Sequence, residues 1–159
     1  MKTEIERKFL VKNDSFKEEA IYIHNIKQGY ITKENGNTVR VRISDDKCYI
    51  TIKGPSDNGI SRYEWEKEIS INEAEELLKL CGKPEQIIEK ERYIIATDDE
   101  LYFEVDVFKG ANEGLTIAEI ELKQENQKFP QPEWLGKEIT GDKSYYNSYL
   151  TVNPFKKNS

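Results

Sequence analysis

Short segments in which apolar and charged side chains alternate recur along most of the chain. Alternation of this kind places apolar side chains on one face of a β-strand and polar side chains on the other. The pattern predicts eight strands, at about 2–11, 22–32, 37–44, 47–53, 60–71, 86–96, 100–108 and 116–123. Asn35-Gly36 and Asp45-Asp46 are typical hairpin turns, so the strands are predicted to run antiparallel.

One amphipathic helix is predicted over residues 72–81, with Asn72 as its amino-terminal cap and Gly82 just after its end. Shorter helices are predicted at 13–20 and 142–151. The expected fold is therefore mainly β, within the α+β class: an antiparallel sheet or closed barrel with flanking helices.

No linker divides the sequence, so the chain is expected to form one domain over residues 1–159. Pro130, Pro132 and Gly136 predict an irregular connection after the eighth strand. Nine Tyr, six Phe and two Trp argue against disorder, which goes with few aromatic residues.

The net charge of −6 disfavours general binding of nucleic acid, which needs a basic surface. No long apolar run indicates a membrane span, and no signal sequence is recognised, so we expect a cytoplasmic protein. Cys48 and Cys81 form neither a disulfide framework nor a zinc motif, and His24 is expected at the surface.

Charged side chains of one sign share a face on several predicted strands. The pairs are Arg40 with Arg42, Lys90 with Arg92, Glu104 with Asp106, and Glu119 with Glu121. An ordinary solvated sheet face would explain any single strand. Like charges so close together are unfavourable unless a bound group offsets them, which favours a closed barrel with the charged face inside.

A basic and acidic interior indicates a particular type of ligand. Arg and Lys bind phosphate oxygens, whereas carboxylates would repel a phosphate unless a metal ion lies between them. Mg²⁺ and Mn²⁺ take oxygen ligands and are commonly shared by carboxylates and substrate phosphates. The pattern therefore predicts a polyphosphate held by cations on one side and by Mg²⁺ or Mn²⁺ on the other.

Glu4-x-Glu6-x-Lys8 resembles the ExExK signature of the triphosphate tunnel metalloenzymes, also called the CYTH superfamily. The resemblance continues in family order through IKQGYI, VRVR, TIKG, SRYEWE, EKERY, FEVDVF, AEIELK and PEWLGKEITGDKSYYN. Short bacterial members of this family are the most similar. The resemblance implies an eight-stranded antiparallel barrel that is open at both ends, with one or two divalent metal ions inside.

The resemblance also assigns roles to residues. The carboxylates implied in metal binding are Glu4, Glu6, Glu64, Glu66, Glu104, Asp106, Glu119 and Glu121. The side chains implied in phosphate binding are Arg40, Arg42, Lys53, Arg62, Lys90, Arg92 and Lys143. Lys8 and Tyr30 match a pair implied to act on water, and cations around Lys8 are expected to depress its pKa.

The implied activity is metal-dependent hydrolysis of inorganic tripolyphosphate, with nucleoside triphosphates as further substrates. An adenylyl cyclase that makes cyclic AMP from ATP, a thiamine triphosphatase and a non-enzymatic polyphosphate-binding module stay open as alternatives. The expected partner is thus a small polyphosphate rather than nucleic acid or membrane. Apolar outer faces leave both a monomer and a homodimer open.

Overall fold

The computed structural model describes residues 2–56 and 58–156 of the chain. Met1, Asp57 and residues 157–159 lie outside this range, so the extent of the single domain stays a prediction. The strands are β1 (Lys2–Val11), β2 (Tyr22–Thr32), β3 (Thr38–Ser44), β4 (Lys47–Lys53), β5 (Ser61–Ile69), β6 (Ile88–Ala96), β7 (Tyr102–Phe108), β8 (Thr116–Glu121) and β9 (Leu135–Glu138). The helices are α1 (Phe16–Glu19), α2 (Ile71–Leu78) and α3 (Asn147–Leu150).

Eight of these strands close into an antiparallel barrel. They follow the order β5-β4-β3-β2-β6-β7-β8-β1, and an additional pairing of β1 with β5 closes the circle. The first half of β1 pairs with β5, at Glu4 opposite Arg62 for example, and its second half pairs with β8. The predicted closed barrel is therefore confirmed.

The short strand β9 was not predicted. It pairs with the end of β1, where Phe9 lies opposite Glu138 and Val11 opposite Leu135. The prolines before it and Gly136 within it indicated an irregular connection. Gly136 is required there, because a β-carbon at this position would lie 2.8 Å from the carbonyl oxygen of Leu10.

The largest apolar core lies outside the barrel rather than within it. It combines buried side chains from the outer faces of the strands, such as Phe103 and Val105, with Phe16 of α1 and with Trp134. The Trp134 indole Nε1–H donates to Glu19 Oε2 at 2.6 Å, which ties the connection before β9 to α1. Because side chains alternate between the two faces of a strand and the apolar ones pack on the outer face, the charged ones point into the barrel.

Helix α2 covers the outer face of β2, β3 and β4, as its amphipathic pattern predicts. Its cap is Ser70 rather than Asn72: the Ser70 hydroxyl accepts from the Glu73 backbone N–H, and the Glu73 carboxylate accepts from the Ser70 N–H. The sequence therefore contains a capping box that the prediction missed by two residues. Cys48 and Cys81 are buried beside this helix as free thiols.

One end of the barrel is filled by apolar side chains. Ile88, Phe108 and Ile117 are buried in a cluster with Leu150 of α3, and they alternate onto the same strand faces as the interior charges. This cluster narrows the barrel at one end, and the expectation of a barrel open at both ends stays a prediction. In place of the helix predicted at 142–151, a 3₁₀ turn precedes the four residues of α3.

None of the helices within the described part of the chain is long and apolar enough to span a membrane.

Candidate active site

The charged inner face of the barrel encloses a cavity of about 120 Å³. Thirteen of the seventeen residues proposed from sequence line it: Glu4, Glu6, Lys8, Tyr30, Arg40, Arg42, Lys53, Arg62, Glu64, Glu66, Lys90, Arg92 and Glu119. The other four, Glu104, Asp106, Glu121 and Lys143, lie outside this lining. The central prediction, that acids and bases of many strands converge on one cavity, therefore agrees with the structure.

The four residues outside the lining have different environments. Asp106 is buried behind the wall of the cavity, and Glu104 lies next to it toward another opening. Glu121 is exposed and lines a neighbouring groove. Lys143 is exposed in the 3₁₀ turn that precedes α3. Strand alternation gives the face of a side chain but not its height along the barrel, which is why the three acids were grouped with the rest, whereas Lys143 was included only because of the family resemblance.

Lys8 lies between two carboxylates. Its Nζ is 3.7 Å from Glu6 Oε1 and 3.8 Å from Glu119 Oε1, and it lies 4.9 Å from the centre of the Tyr146 ring. Burial lowers the pKa of Lys8, but the charges of Glu119 and Glu6 outweigh it and hold the pKa above its usual value. The expectation of a pKa depressed by neighbouring cations is wrong, because the groups nearest to Lys8 are anions.

Glu4 forms its ion pair with a different lysine. Glu4 Oε2 lies 2.7 Å from Lys53 Nζ, and both side chains are largely buried. A carboxylate proposed for metal binding on β1 and an ammonium proposed for phosphate binding on β4 thus neutralise each other from the two sides of β5. This contact occupies one carboxylate oxygen of Glu4 and one of the three ammonium donors of Lys53.

The most buried charges form a network of one acid and two bases. Asp106 accepts from Arg92 Nε at 2.7 Å and from Arg92 Nη2 at 2.9 Å, and its Oδ2 lies 2.7 Å from Lys90 Nζ. Although burial raises the pKa of Asp106, Arg92 and Lys90 outweigh burial and hold this pKa below its usual value. Burial, helped by the charges of Arg92 and Arg42, lowers the pKa of Lys90 to about 7 although Asp106 opposes the shift.

Arg40 and Arg42 occupy neighbouring positions on β3. Arg40 Nη2 donates to Thr51 at 3.2 Å, whereas its buried Nε has no hydrogen-bond partner within the described residues. Arg42 Nε donates to Gln28 Oε1 at 2.8 Å. Burial and the charges of Arg40 and Arg92 lower the pKa of Arg42 to about 9, so its guanidinium stays protonated at neutral pH. An unpaired buried donor is costly, so an anionic oxygen at Arg40 Nε would be stabilising.

Sequence reasoning missed the neutral part of the lining. These residues are Gln28, Thr38, Thr51, Tyr146, Asn147 and Ser148. Gln28 is fully buried and links Arg42 to Tyr30 and Asn147 through its side-chain amide. Paired charges do not indicate such residues, although Gln28 shares a strand face with Tyr30, which was a usable signal.

Two carboxylates are suited to a divalent cation that also binds phosphate. Across residues 2–56 and 58–156, no group of three His, Cys, Asp or Glu side chains is close enough to hold a metal ion. Glu6 and Glu119 nevertheless line the same cavity, and each has an oxygen within 4 Å of Lys8 Nζ. Mg²⁺ is usually bound by one or two carboxylates together with substrate phosphates, so this donor set fits it.

The barrel and its interior define a class of protein: a β-barrel with an internal site for a highly charged anion. The chain belongs to the CYTH domain family, which it matches over residues 2–148. It is 50% identical to an inorganic triphosphatase of Acetivibrio thermocellus, over 98% of this chain and 97% of that protein. An inorganic triphosphatase of Nitrosomonas europaea is 35% identical, over 95% of this chain and 98% of that protein.

The fold agrees with a solved relative. A crystal structure of an inorganic triphosphatase superposes with a TM-score of 0.68 and 32% sequence identity, and the match covers 96% of each chain. The likeness therefore extends over the whole barrel rather than over an isolated motif.

Proposed function

We propose that the protein is a metal-dependent hydrolase that releases the terminal phosphoryl group of inorganic tripolyphosphate inside the barrel. The observation that carries this proposal is the convergence of Lys and Arg side chains from β3 to β6 on one cavity that also contains Glu6 and Glu119. The two curated relatives described above, both named inorganic triphosphatase, support the choice of substrate.

The bases would bind the phosphate chain. Arg40 offers its unpaired Nε, and Lys90 has one N–H donor left after its contacts with Asp106 and Asn147. Arg62 instead donates to the carbonyl oxygens of Gly54 and Gly36, so it fixes the loops at the edge of the cavity as well as adding charge. Phosphoryl transfer depends mainly on such positioning and on neutralisation of charge.

Glu6 and Glu119 are the residues best placed to hold Mg²⁺ or Mn²⁺, and Glu4 joins them in this proposal if Lys53 moves to a phosphate. The metal would withdraw negative charge from the terminal phosphoryl oxygens. Lys8, whose ammonium lies within 4 Å of both the Glu6 and the Glu119 carboxylate, acts here as a positive charge beside the reacting phosphoryl group. Tyr30, whose hydroxyl accepts from Gln28 Nε2, stays the candidate for orienting water.

The test measures products rather than loss of substrate. The protein is incubated with tripolyphosphate, ATP or thiamine triphosphate, with Mg²⁺ or Mn²⁺ and then with EDTA. Metal-dependent release of orthophosphate, fastest from tripolyphosphate, is the expected result. Cyclic AMP with pyrophosphate from ATP would instead identify a cyclase, fastest turnover of thiamine triphosphate a thiamine triphosphatase, and binding without turnover a polyphosphate-binding module. The cytoplasmic location and the choice between monomer and homodimer stay predictions.

A further inference from the structure

The segment that follows the barrel supplies two uncharged side chains to the site. Tyr146, just before α3, lies with its ring 4.9 Å from Lys8 Nζ. Asn147, the first residue of α3, accepts from Lys90 Nζ with its Oδ1 at 2.9 Å. Both residues line the cavity, and neither belongs to the charged strand faces.

The segment is anchored independently of these two contacts. Leu150 is buried in the apolar cluster at the end of the barrel. Lys33 Nζ donates to the Ser148 carbonyl oxygen at 3.1 Å and to Thr151 Oγ1 at 2.9 Å. The Phe155 backbone N–H donates to Asn112 Oδ1. Removing the Tyr146 ring or the Asn147 amide therefore leaves the anchors of the segment in place.

Lys8 needs support that its carboxylate neighbours do not give. Its distances to Glu6 and Glu119 are longer than hydrogen bonds, so they attract the ammonium without fixing its direction. An aromatic face attracts a cation and is most effective where water is excluded. The Tyr146 ring thus adds a third attractive group beside Lys8 Nζ and restricts where the ammonium can lie.

Lys90 needs an acceptor that does not repel the substrate. Its ammonium has three donors, of which Asp106 and Asn147 each take one. A second carboxylate in place of Asn147 would cancel the charge that attracts phosphate, whereas an amide oxygen orients the ammonium and leaves its charge intact. The same oxygen also accepts from Gln28 Nε2 at 3.3 Å, so Asn147 itself is held in place.

We propose that Tyr146 and Asn147 are positioning residues of the active site, Tyr146 for Lys8 and Asn147 for Lys90, and that they act on different steps. This inference rests on the proposed function. Lys8 lies beside the carboxylates at the reacting phosphoryl group, so loss of the Tyr146 ring lowers kcat. Lys90 binds the phosphate chain before and during the reaction, so loss of the Asn147 amide raises KM.

The test compares two adjacent substitutions with controls from the same segment. With tripolyphosphate and Mg²⁺, Tyr146→Leu is expected to lower kcat about tenfold with KM little changed, whereas Tyr146→Phe keeps the ring and most of the activity. Asn147→Ala is expected to raise KM about tenfold with kcat little changed. Exposed Tyr149 and Asn153 provide the matched controls Tyr149→Leu and Asn153→Ala, which should behave like the unaltered protein.

A second readout does not depend on turnover. Calorimetry with tripolyphosphate in EDTA should show affinity reduced about tenfold by Asn147→Ala and unchanged by Tyr146→Leu. The inference is overturned if Tyr146→Leu and Asn147→Ala change the same kinetic parameter, or if the kcat of Tyr146→Phe falls as far as that of Tyr146→Leu. It is also overturned if the control variants change kcat or KM by as much. An unaltered protein that binds tripolyphosphate without hydrolysing it refutes the proposed function instead, and the calorimetric comparison then still decides the role of Asn147.

Discussion

Lys53 Nζ on β4 and Glu4 Oε2 on β1 lie 2.7 Å apart, although β5 separates these two strands in the barrel wall. The carboxylate blocks a cation that a phosphate would use, and the ammonium occupies an oxygen that a metal would use. In the proposed function, binding of phosphate and metal would replace this ion pair by a contact of Lys53 with phosphate and a contact of Glu4 with the metal. In the structure the two opposite charges neutralise each other.

Glu4→Gln tests this exchange. Removing the carboxylate frees Lys53, so tripolyphosphate in EDTA should bind about three- to tenfold more tightly, while metal-dependent hydrolysis falls sharply. Calorimetry and phosphate release measure the two effects separately. Glu91→Gln, on the outer face of β6 beside Lys109, is the matched control and should change neither. Weaker metal-free binding in Glu4→Gln would contradict the exchange.

Asp106→Asn tests the buried network. It would leave Arg92 and Lys90 buried with their main counter-charge removed, which should lower the free energy of unfolding by about 3–5 kcal/mol. Urea denaturation measures this change.

The control for that variant is Glu104→Gln. Glu104 also pairs with Arg92, but its side chain is 36% exposed against 1% for Asp106. Glu104→Gln is therefore expected to lower the free energy of unfolding by at most about 1 kcal/mol. Equal costs for the two variants would show that burial does not set the strength of these pairs.

The lowered pKa of Lys90 predicts a pH dependence of anion binding. Below about pH 7 the ammonium is charged before the anion binds, whereas above it the complex must take up a proton. The affinity for sulfate, whose own charge is constant over this range, should therefore fall by up to about tenfold per pH unit above pH 7. Calorimetry in EDTA between pH 6 and 8.5 checks this expectation.

Lys90→Arg is the control for that titration, because a guanidinium stays charged throughout this pH range. Its sulfate affinity should lose most of the dependence on pH. A dependence as steep as that of the unaltered protein would assign the titration to another group.

Gly59→Ala probes the contact between the β4–β5 loop and the segment after β9. Gly59 has φ +75°, and a β-carbon there would lie 2.6 Å from the α-carbon of Gly141. Gly110 has φ +60° with nothing within 4 Å of the added carbon, so Gly110→Ala measures the backbone cost alone, about 1 kcal/mol. Gly59→Ala should lower the free energy of unfolding, measured by urea denaturation, clearly more than Gly110→Ala does. Equal losses would mean that the β4–β5 loop and the segment after β9 separate easily.

The strands were predictable because their alternation is strong. β1, β2 and β4 begin and end where the pattern placed them, whereas β9 is short, follows two prolines and contains Gly136, so no local signal outweighs its turn residues. The faces of the charged side chains were likewise predictable from parity.

Features that depend on the register of strand pairing were not predictable from the sequence. Lys8 was expected among cations, but the pairing of β1 with β8 brings it opposite Glu119. Asp106 and Glu104 share a face and differ in burial because they lie at different heights beside Arg92. Tyr146 and Asn147 reach the cavity from outside the barrel, where strand alternation carries no information.

The pairing of β1 with two distant strands also has a consequence for how the protein is made. Strand β1 is synthesised before β5 and β8, and these partners leave the ribosome about 60 and 110 residues later. Pairings of such large sequence separation are slow to form. Both edges of β1 therefore stay unpaired until β5 and β8 have been synthesised. The charged side chains of β1 help to keep this unpaired strand from aggregating.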